Sequence, residues 1–257
     1  MGGAVRVERR GDVAWCALDR PPLNLLDPEL IGAIDAAFTA LSADATLRAA
    51  VLTGSGRAFT GGMNVHVLHD LDVPRAKTLI TSIHAAIARV HHAPFPVIAA
   101  VNGFCLGAGF ELALACDMRI AADVARFGLP EVRVGVPSVI EAALLPALVG
   151  PGRAAEMLLT GESVDAERAL AWGLVNRVVP AAQLDGAVEA MVDKVLACGP
   201  AAIRLQKELM LRWRYTGLAT AIEYGINAFA TAYATDEPRE GARAFLEKRA
   251  PRFGSRP

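Results

Sequence analysis

The sequence predicts an α/β protein with a mostly parallel sheet, followed by a region made of helices. Strand-like and helix-like segments alternate through the first half of the chain, and after about Pro137 almost every segment has helical spacing. Because parallel strands are joined by crossover connections, this alternation favours right-handed crossovers and a parallel sheet. The expected division is an α/β core at residues 1–195 and a helical C-terminal region at residues 196–257.

Each element of the first half is predicted from its local pattern. Two β-like runs flank Gly11 and Asp12, which is typical of a hairpin. Asp27 and Pro28 form a helix N-cap and a proline at the first helical position, and apolar residues then recur at helical spacing. The expected elements are strands 5–9 and 13–19, helix 27–43, strand 49–53, helix 74–92, strand 96–101, helix 110–116, and strands 118–121 and 126–128.

The second half is predicted to be helical apart from one extended segment at residues 174–179. No flexible linker or low-complexity tract separates it from the core, so we expect it to pack on the core or on a neighbouring subunit. The expected helices are 138–149, 153–160, 166–172, 184–197, 201–215, 218–235 and 238–248.

Composition and charge exclude several classes of protein. The 257 residues are 53% hydrophobic and 21% charged, which is typical of a globular chain. The net charge of −1 argues against binding nucleic acid or an anionic membrane through bulk charge. Four cysteines without a C-x-x-C pair and five histidines without an H-E-x-x-H motif predict no metal site. With no signal-like apolar core at the N-terminus, we expect a cytoplasmic protein.

Two glycine-rich turns each follow a predicted strand, at residues 58–64 and 102–109. Such turns expose backbone N–H groups where a helix dipole favours negative charge. Two of them facing one point would form an oxyanion hole, a pair of donors for a developing negative oxygen. The alternative is that the glycines only permit tight turns. Neither turn has a nucleotide-phosphate motif.

Glu111 is the only charged residue between Arg89 and Asp117 and lies one turn into an apolar helix. Burying a carboxylate is costly unless a partner compensates it, so Glu111 is a candidate acid or base with a raised pKa. The alternative is that the helix has one wet stripe that carries Glu111. Glu131, in Leu129-Pro130-Glu131, is weak as a candidate on its own because glutamates in exposed loops are common.

Glu141 has two interpretations. With Ser138 it matches the S-x-x-E capping box that begins many helices, in which the glutamate returns to the backbone of the serine. Alternatively, it lies beside Glu111 and Glu131 as a third acid, where its charge would raise the pKa of a neighbouring carboxyl.

Together, the motifs resemble those of the enoyl-CoA hydratase/isomerase (crotonase) superfamily over nearly the whole chain. The segments that carry the resemblance are 18–21 (LDRP), 58–64 (AFTGGMN), 100–117 (AVNG through CD), 127–131 (FGLPE), 159–161 (LTG), 172–175 (WGLV) and 244–249 (AFLEKR). The resemblance implies a spiral of ββα units with a helical C-terminal trimerisation region, and a homotrimer or a dimer of trimers.

The same resemblance implies an acyl-CoA thioester as substrate and no further cofactor. By motif position, the backbone N–H groups of Met63 and Ala108 form the oxyanion hole. Glu111 activates water for addition at C3, and Glu131 exchanges a proton at C2. The positions implied in binding coenzyme A are Arg20, Thr60, Gly61, Gly62, Met63, Asn64, Val65, His66 and Lys248.

Two departures from the family pattern concern the ligand. Asn64 replaces the Asp usual in the first turn, and Val139, Ile140 and Glu141 replace small residues of a glycine-rich run. The bulkier residues disfavour a plain straight-chain fatty acyl group. We expect an enoyl-CoA hydratase. The alternatives are an isomerase, a decarboxylase or an acyl-CoA hydrolase on the same scaffold, or a non-catalytic binding protein, including one that binds RNA.

Overall fold

The computed structural model describes residues 3–254 as ten strands and eleven α-helices. The strands are β1 (Val5–Arg10), β2 (Val13–Leu18), β3 (Ala49–Gly54), β4 (Ala58–Thr60), β5 (Val97–Val101), β6 (Phe104–Leu106), β7 (Met118–Ala122), β8 (Arg126–Gly128), β9 (Val164–Asp165) and β10 (Arg177–Val179). Residues 1, 2 and 255–257, at the ends of the two predicted regions, lie outside the described residues.

The helices lie between and after these strands. They are α1 (Pro28–Ser42), α2 (Val65–His69), α3 (Val73–His91), α4 (Ala108–Ala115), α5 (Leu145–Val149), α6 (Pro151–Thr160), α7 (Ala166–Ala171), α8 (Leu184–Leu196), α9 (Pro200–Trp213), α10 (Leu218–Ala232) and α11 (Glu237–Leu246). Asp27 caps α1 by accepting from the N–H of Leu30, as the sequence predicts.

The strands form two sheets. The larger has the order β1-β2-β3-β5-β7-β10, and its strands are parallel except for the antiparallel pair β1 and β2. The smaller has the order β4-β6-β8-β9. Successive strands β3 and β4, β5 and β6, and β7 and β8 divide between the two sheets. This alternation produces the spiral of ββα units that the family resemblance implies.

The core lies on both faces of the larger sheet because alternate residues of each strand point in opposite directions. In β3, Ala50 and Leu52 pack with α1, α3 and α4, whereas Ala49 and Val51 pack against α8. The buried strands are therefore apolar throughout, as the sequence pattern indicates for a covered parallel sheet.

The predicted helix at residues 138–149 is wrong in its first part. Residues 138–140 are not helical, Glu141–Leu144 is a 3₁₀ turn, and α5 begins only at Leu145. Pro146 has no N–H to donate to the carbonyl of Ala142, so a continuous α-helix cannot pass through this segment. The segment instead turns towards α4.

The C-terminal helices are anchored to the core by α9. Lys207 is buried there, and its Nζ lies 2.8 Å from both Asp117 Oδ2 and the carbonyl oxygen of Phe95. In contrast, α10 leaves an apolar face in solvent: Leu218, Ile222, Ile226, Phe229 and Tyr233 are all exposed. The boundary at residue 195 stays a prediction.

Candidate active site

A cavity of about 560 Å³ lies where the two glycine turns meet α3, α4 and the segment that follows β8. Its walls are largely apolar, with Leu68, Leu79, Ile80, Ile83 and Val139 among the lining residues. Two carboxyl side chains, Glu111 and Glu131, also line it. A mostly apolar cavity with a few convergent polar groups is the usual form of a small-molecule site.

The two glycine turns touch each other at this cavity. Gly62 and Gly107 both have positive φ, at +92° and +56°, which favours glycine. A Cβ atom at Gly62 would lie only 2.9 Å from the carbonyl oxygen of Leu106, so any side chain there would separate the turns. Close backbone approach thus accounts for these two glycines, beyond the tight turns themselves.

Met63 and Ala108 follow these two glycines directly, and both line the cavity. The neighbouring amides are engaged: the N–H of Gly62 donates to Thr60 Oγ1, that of Asn64 to Leu26, and that of Gly107 to Gly128. Between residues 3 and 254, the amides of Met63 and Ala108 donate to no loop or turn acceptor. Two uncommitted donors therefore lie on turns that meet at one cavity.

Glu111 lies in the first turn of α4, and all eight residues of that helix are buried. Its Oε2 accepts a 3.0 Å hydrogen bond from the N–H of Ala142. Burial raises the pKa of Glu111 to about 7; the Ala142 hydrogen bond opposes this rise, and the charges of Glu131 and Glu141 add to it. The wet-stripe alternative is wrong, because Glu111 is only 2% exposed.

Glu131 lies in the 3₁₀ turn Pro130–Val134. Its Oε2 accepts a 2.7 Å hydrogen bond from Ser138 Oγ, and its Oε1 lies against Gly107, where a Cβ atom would approach it to 2.9 Å. Burial raises the pKa of Glu131, while the Ser138 hydrogen bond lowers it. A loop glutamate that is ordinary in sequence is thus partly buried beside the second glycine turn.

The other predicted site residues divide into two groups. Gly61, Gly62 and Val65 line the cavity with Met63. Arg20, Thr60, Asn64, His66 and Lys248 do not line it. Thr60 is buried beneath the first turn, and Asn64 caps α2 by accepting from the N–H of His66. Arg20 pairs with Glu29, and Lys248 is exposed after α11.

Comparison with known proteins assigns the family. The enoyl-CoA hydratase/isomerase family matches residues 8–256. A crotonyl-CoA hydratase of Syntrophomonas wolfei is 36% identical over 253 residues, which cover 97% of each chain. The chain belongs to the enoyl-CoA hydratase/isomerase family. A short-chain-enoyl-CoA hydratase of Clostridium acetobutylicum is 33% identical over 95% of each chain.

A solved member of the enoyl-CoA hydratase/isomerase family has the same fold. The crystal structure of an enoyl-CoA hydratase from Bacillus anthracis matches with a TM-score of 0.93 at 32% identity, over 98% of this chain and 99% of that one. The likeness spans both sheets and the C-terminal helices, so the family's fold extends through the whole described chain.

The capping-box interpretation of Ser138 and Glu141 is wrong. Ser138 Oγ donates to Glu131, and Glu141 Oε1 lies 2.7 Å from His84 Nδ1 on α3, so neither side chain caps a helix. The 3₁₀ turn begins after Ile140 with no side-chain cap. Both residues of the motif instead lie next to the carboxyls of the cavity: Ser138 donates to Glu131, and Glu141 directly precedes Ala142, whose N–H donates to Glu111.

Ser138, Ala142 and His84 do not line the cavity but contact carboxyls at or near it, and the sequence does not reveal these contacts. Each contacts a carboxyl on another element, and the separations reach 57 residues between His84 and Glu141. One signal was present: the 138–142 segment departs from the family's glycine-rich pattern.

Residues 3–254 contain neither a membrane-spanning helix nor a metal-binding cluster. No helix there is both long and apolar enough to cross a bilayer. The same residues bring no three His, Cys, Asp or Glu side chains together in a metal-binding arrangement.

Proposed function

We propose that the protein is an enoyl-CoA hydratase, which adds water across the 2,3 double bond of an enoyl-CoA thioester. The observation that supports this most directly is the pair Glu111 and Glu131. Both are carboxyls with raised pKa, and both line one apolar cavity beside the free amides of Met63 and Ala108. Hydratases of the same family at 33–36% identity support the same activity.

In the proposed reaction, ionised Glu111 takes a proton from water while the water oxygen bonds to C3. The π electrons of the double bond move onto the thioester, and the N–H groups of Met63 and Ala108 hold the resulting enolate oxygen. Protonated Glu131 then gives its proton to C2. The proton left on Glu111 returns to Glu131 through water, which restores both groups.

The raised pKa values suit these roles. A carboxyl with a pKa of about 7 is a much stronger base than an ordinary glutamate and is still partly ionised at neutral pH. The raised pKa of Glu131 lets it keep a proton where an exposed glutamate would lose it. The thioester itself accepts the charge, so the proposed chemistry needs no metal or redox cofactor.

The coenzyme A contacts, the assembly and the compartment belong to the same proposal. We expect the first glycine turn to hold coenzyme A and the exposed face of α10 to be covered in a trimer or a dimer of trimers. All four cysteines are free thiols, in agreement with a reducing cytoplasm.

Incubation with crotonyl-CoA tests the proposal, because hydration removes the conjugated absorbance of the enoyl thioester. A panel of short, branched and aromatic enoyl-CoAs then defines the acyl group. Conversion of a 3-enoyl-CoA without hydration would favour an isomerase. Release of free coenzyme A would favour a hydrolase, and loss of CO₂ would favour a decarboxylase. No coenzyme A affinity would favour a non-catalytic binding protein.

A further inference from the structure

A third buried carboxyl lies behind the proposed acid/base pair. The side chain of Glu141 is 9% exposed, and its Oε1 lies 2.7 Å from His84 Nδ1. Its Oε2 is buried and has no hydrogen-bond partner among residues 3–254. A buried polar atom without a partner is destabilising, so its persistence calls for a function.

Glu141 is joined directly to the group that holds Glu111. It begins the 3₁₀ turn whose next residue, Ala142, donates its N–H to Glu111 Oε2. Any charge on Glu141 therefore acts across one short turn and through a largely water-free interior, where charges interact strongly. Glu131 lines the same cavity as Glu111.

We propose that Glu141 is a positioning residue of the hydratase site: held by His84, its carboxylate makes Glu111 a stronger base and sets the acid limb of the pH–rate profile. The role of Glu111 as the base rests on the function proposed above. The action of Glu141 on Glu111 is independent of it and can be measured without substrate.

The charged groups that face Glu141 agree with this role. His84 on α3 and His92, the residue that follows α3, both lower the pKa of Glu141 against the larger effect of burial. From α4 comes Glu111. The adjoining α5 carries no titratable side chain. Among residues 3–254, His84 is the one side-chain hydrogen-bond partner of Glu141, and its contact favours the ionised form.

His84 also connects the buried pair to solvent. Its side chain is 56% exposed, whereas Glu141 and Glu111 are buried. A change at His84 therefore alters the hydrogen bonding of Glu141 without removing a buried group. This makes His84 a second, milder site at which the coupling can be tested.

The test compares E141Q, H84N and the double variant with the unsubstituted protein. The first readout is the pKa of Glu111, which is measured without substrate by ¹³C NMR of the glutamate carboxyls. The Glu111 signal is assigned by its absence in E111Q. The second is the acid limb of kcat/KM for hydration. Thermal unfolding of every variant reports on folding. The matched controls are H69N and D70N, since His69 Nδ1 and Asp70 Oδ1 are also 2.7 Å apart but both side chains are 80% or more exposed.

We expect E141Q to lower the pKa of Glu111 by about 0.5–1 unit and to move the acid limb to lower pH by the same amount. H84N moves both as well, but only when Glu141 is present, and H69N and D70N move neither. A purely structural role would lower activity equally at every pH.

Two results overturn the proposal: a Glu111 pKa that E141Q leaves unchanged, or an H84N shift that persists in the E141Q background. If E141Q does not fold, H84N decides: a Glu111 pKa and an acid limb that H84N leaves unchanged then overturn the proposal. A half-exposed side chain tolerates this substitution. Failure of the hydratase function has a separate signature, namely no hydration by the unsubstituted protein, and leaves the carboxyl titration valid.

Discussion

Ser138 Oγ donates a 2.7 Å hydrogen bond to Glu131 Oε2. This bond links the segment between the 3₁₀ turns Pro130–Val134 and Glu141–Leu144 to the carboxyl whose Oε1 lies against Gly107. A donor of this kind favours the ionised carboxylate and so opposes the effect of burial on the pKa of Glu131. Ser138 therefore adjusts how readily Glu131 gives up its proton.

Removal of this donor should change the alkaline limb of the pH–rate profile. In S138A the pKa of Glu131 rises, so the proposed acid stays protonated to higher pH and the alkaline limb moves up by about 0.5–1 unit. We also expect kcat to fall by about tenfold at neutral pH, because the carboxyl is less well oriented. The measurement is kcat/KM against pH, with S82A on the exposed side of α3 as control. An alkaline limb that does not move would contradict this role.

The sequence predicts the framework of the molecule well and the contacts within the site poorly. Long periodic elements such as α1 and α3 are identified because their signals are local. The three-residue strands β4 and β6 are missed, since they are too short to show a period and are defined by pairing with strands far along the chain, β4 with β6 and β6 with β8. The error at Ser138 and Glu141 has a similar cause, because two distant side chains compete successfully with a local capping pattern.

Glu111 and Glu131 were found for different reasons. Glu111 stands alone in an apolar helix, so burial could be inferred directly from the pattern. Glu131 gave no such signal and was located through family resemblance. No sequence pattern predicts which residues surround the two carboxyls, because Ser138, Ala142 and Glu141 come near them only after the chain has folded.

Substitution of either proposed catalytic carboxyl should abolish most activity without unfolding the protein. We expect E111Q and E131Q each to lower kcat by at least about 10²-fold, the usual scale for loss of a general acid or base. The amide keeps the shape of the side chain and can still accept the hydrogen bond from Ala142 or Ser138. E162Q, at an exposed glutamate, is the control for a lost charge. A variant that keeps a near-normal hydration rate would remove that residue from the proposed mechanism.

The exposed apolar face of α10 leads to a prediction about assembly. Ile222, Ile226 and Phe229 are 54%, 64% and 71% exposed, and apolar surface of this extent on one helix is typical of a subunit interface. Light scattering should give a mass three or six times that of the 27.0 kDa chain. F229K should shift this mass towards the monomer, whereas V73K, at the 83% exposed valine that begins α3, should not. A monomer at micromolar concentration would refute the assembly.

Ionised Glu111 should destabilise the folded protein at neutral and alkaline pH. Its pKa is raised from 4.5 to about 7, so below pH 4.5 the carboxyl is protonated in both folded and unfolded chains and has no effect. As the pH rises from 4.5 through 7, the unfolded chain ionises first, and the folded state loses about 3 kcal/mol of stability. E111Q carries no such cost. It should therefore be more stable than the unsubstituted protein at pH 8, with the difference vanishing near pH 4, although it is inactive. Urea unfolding at both pH values measures this, and E162Q should show no pH-dependent gain. If E111Q is no more stable at pH 8 than the unsubstituted protein, the pKa of Glu111 is not raised in the folded state. The reason for assigning Glu111 as the base would then be lost.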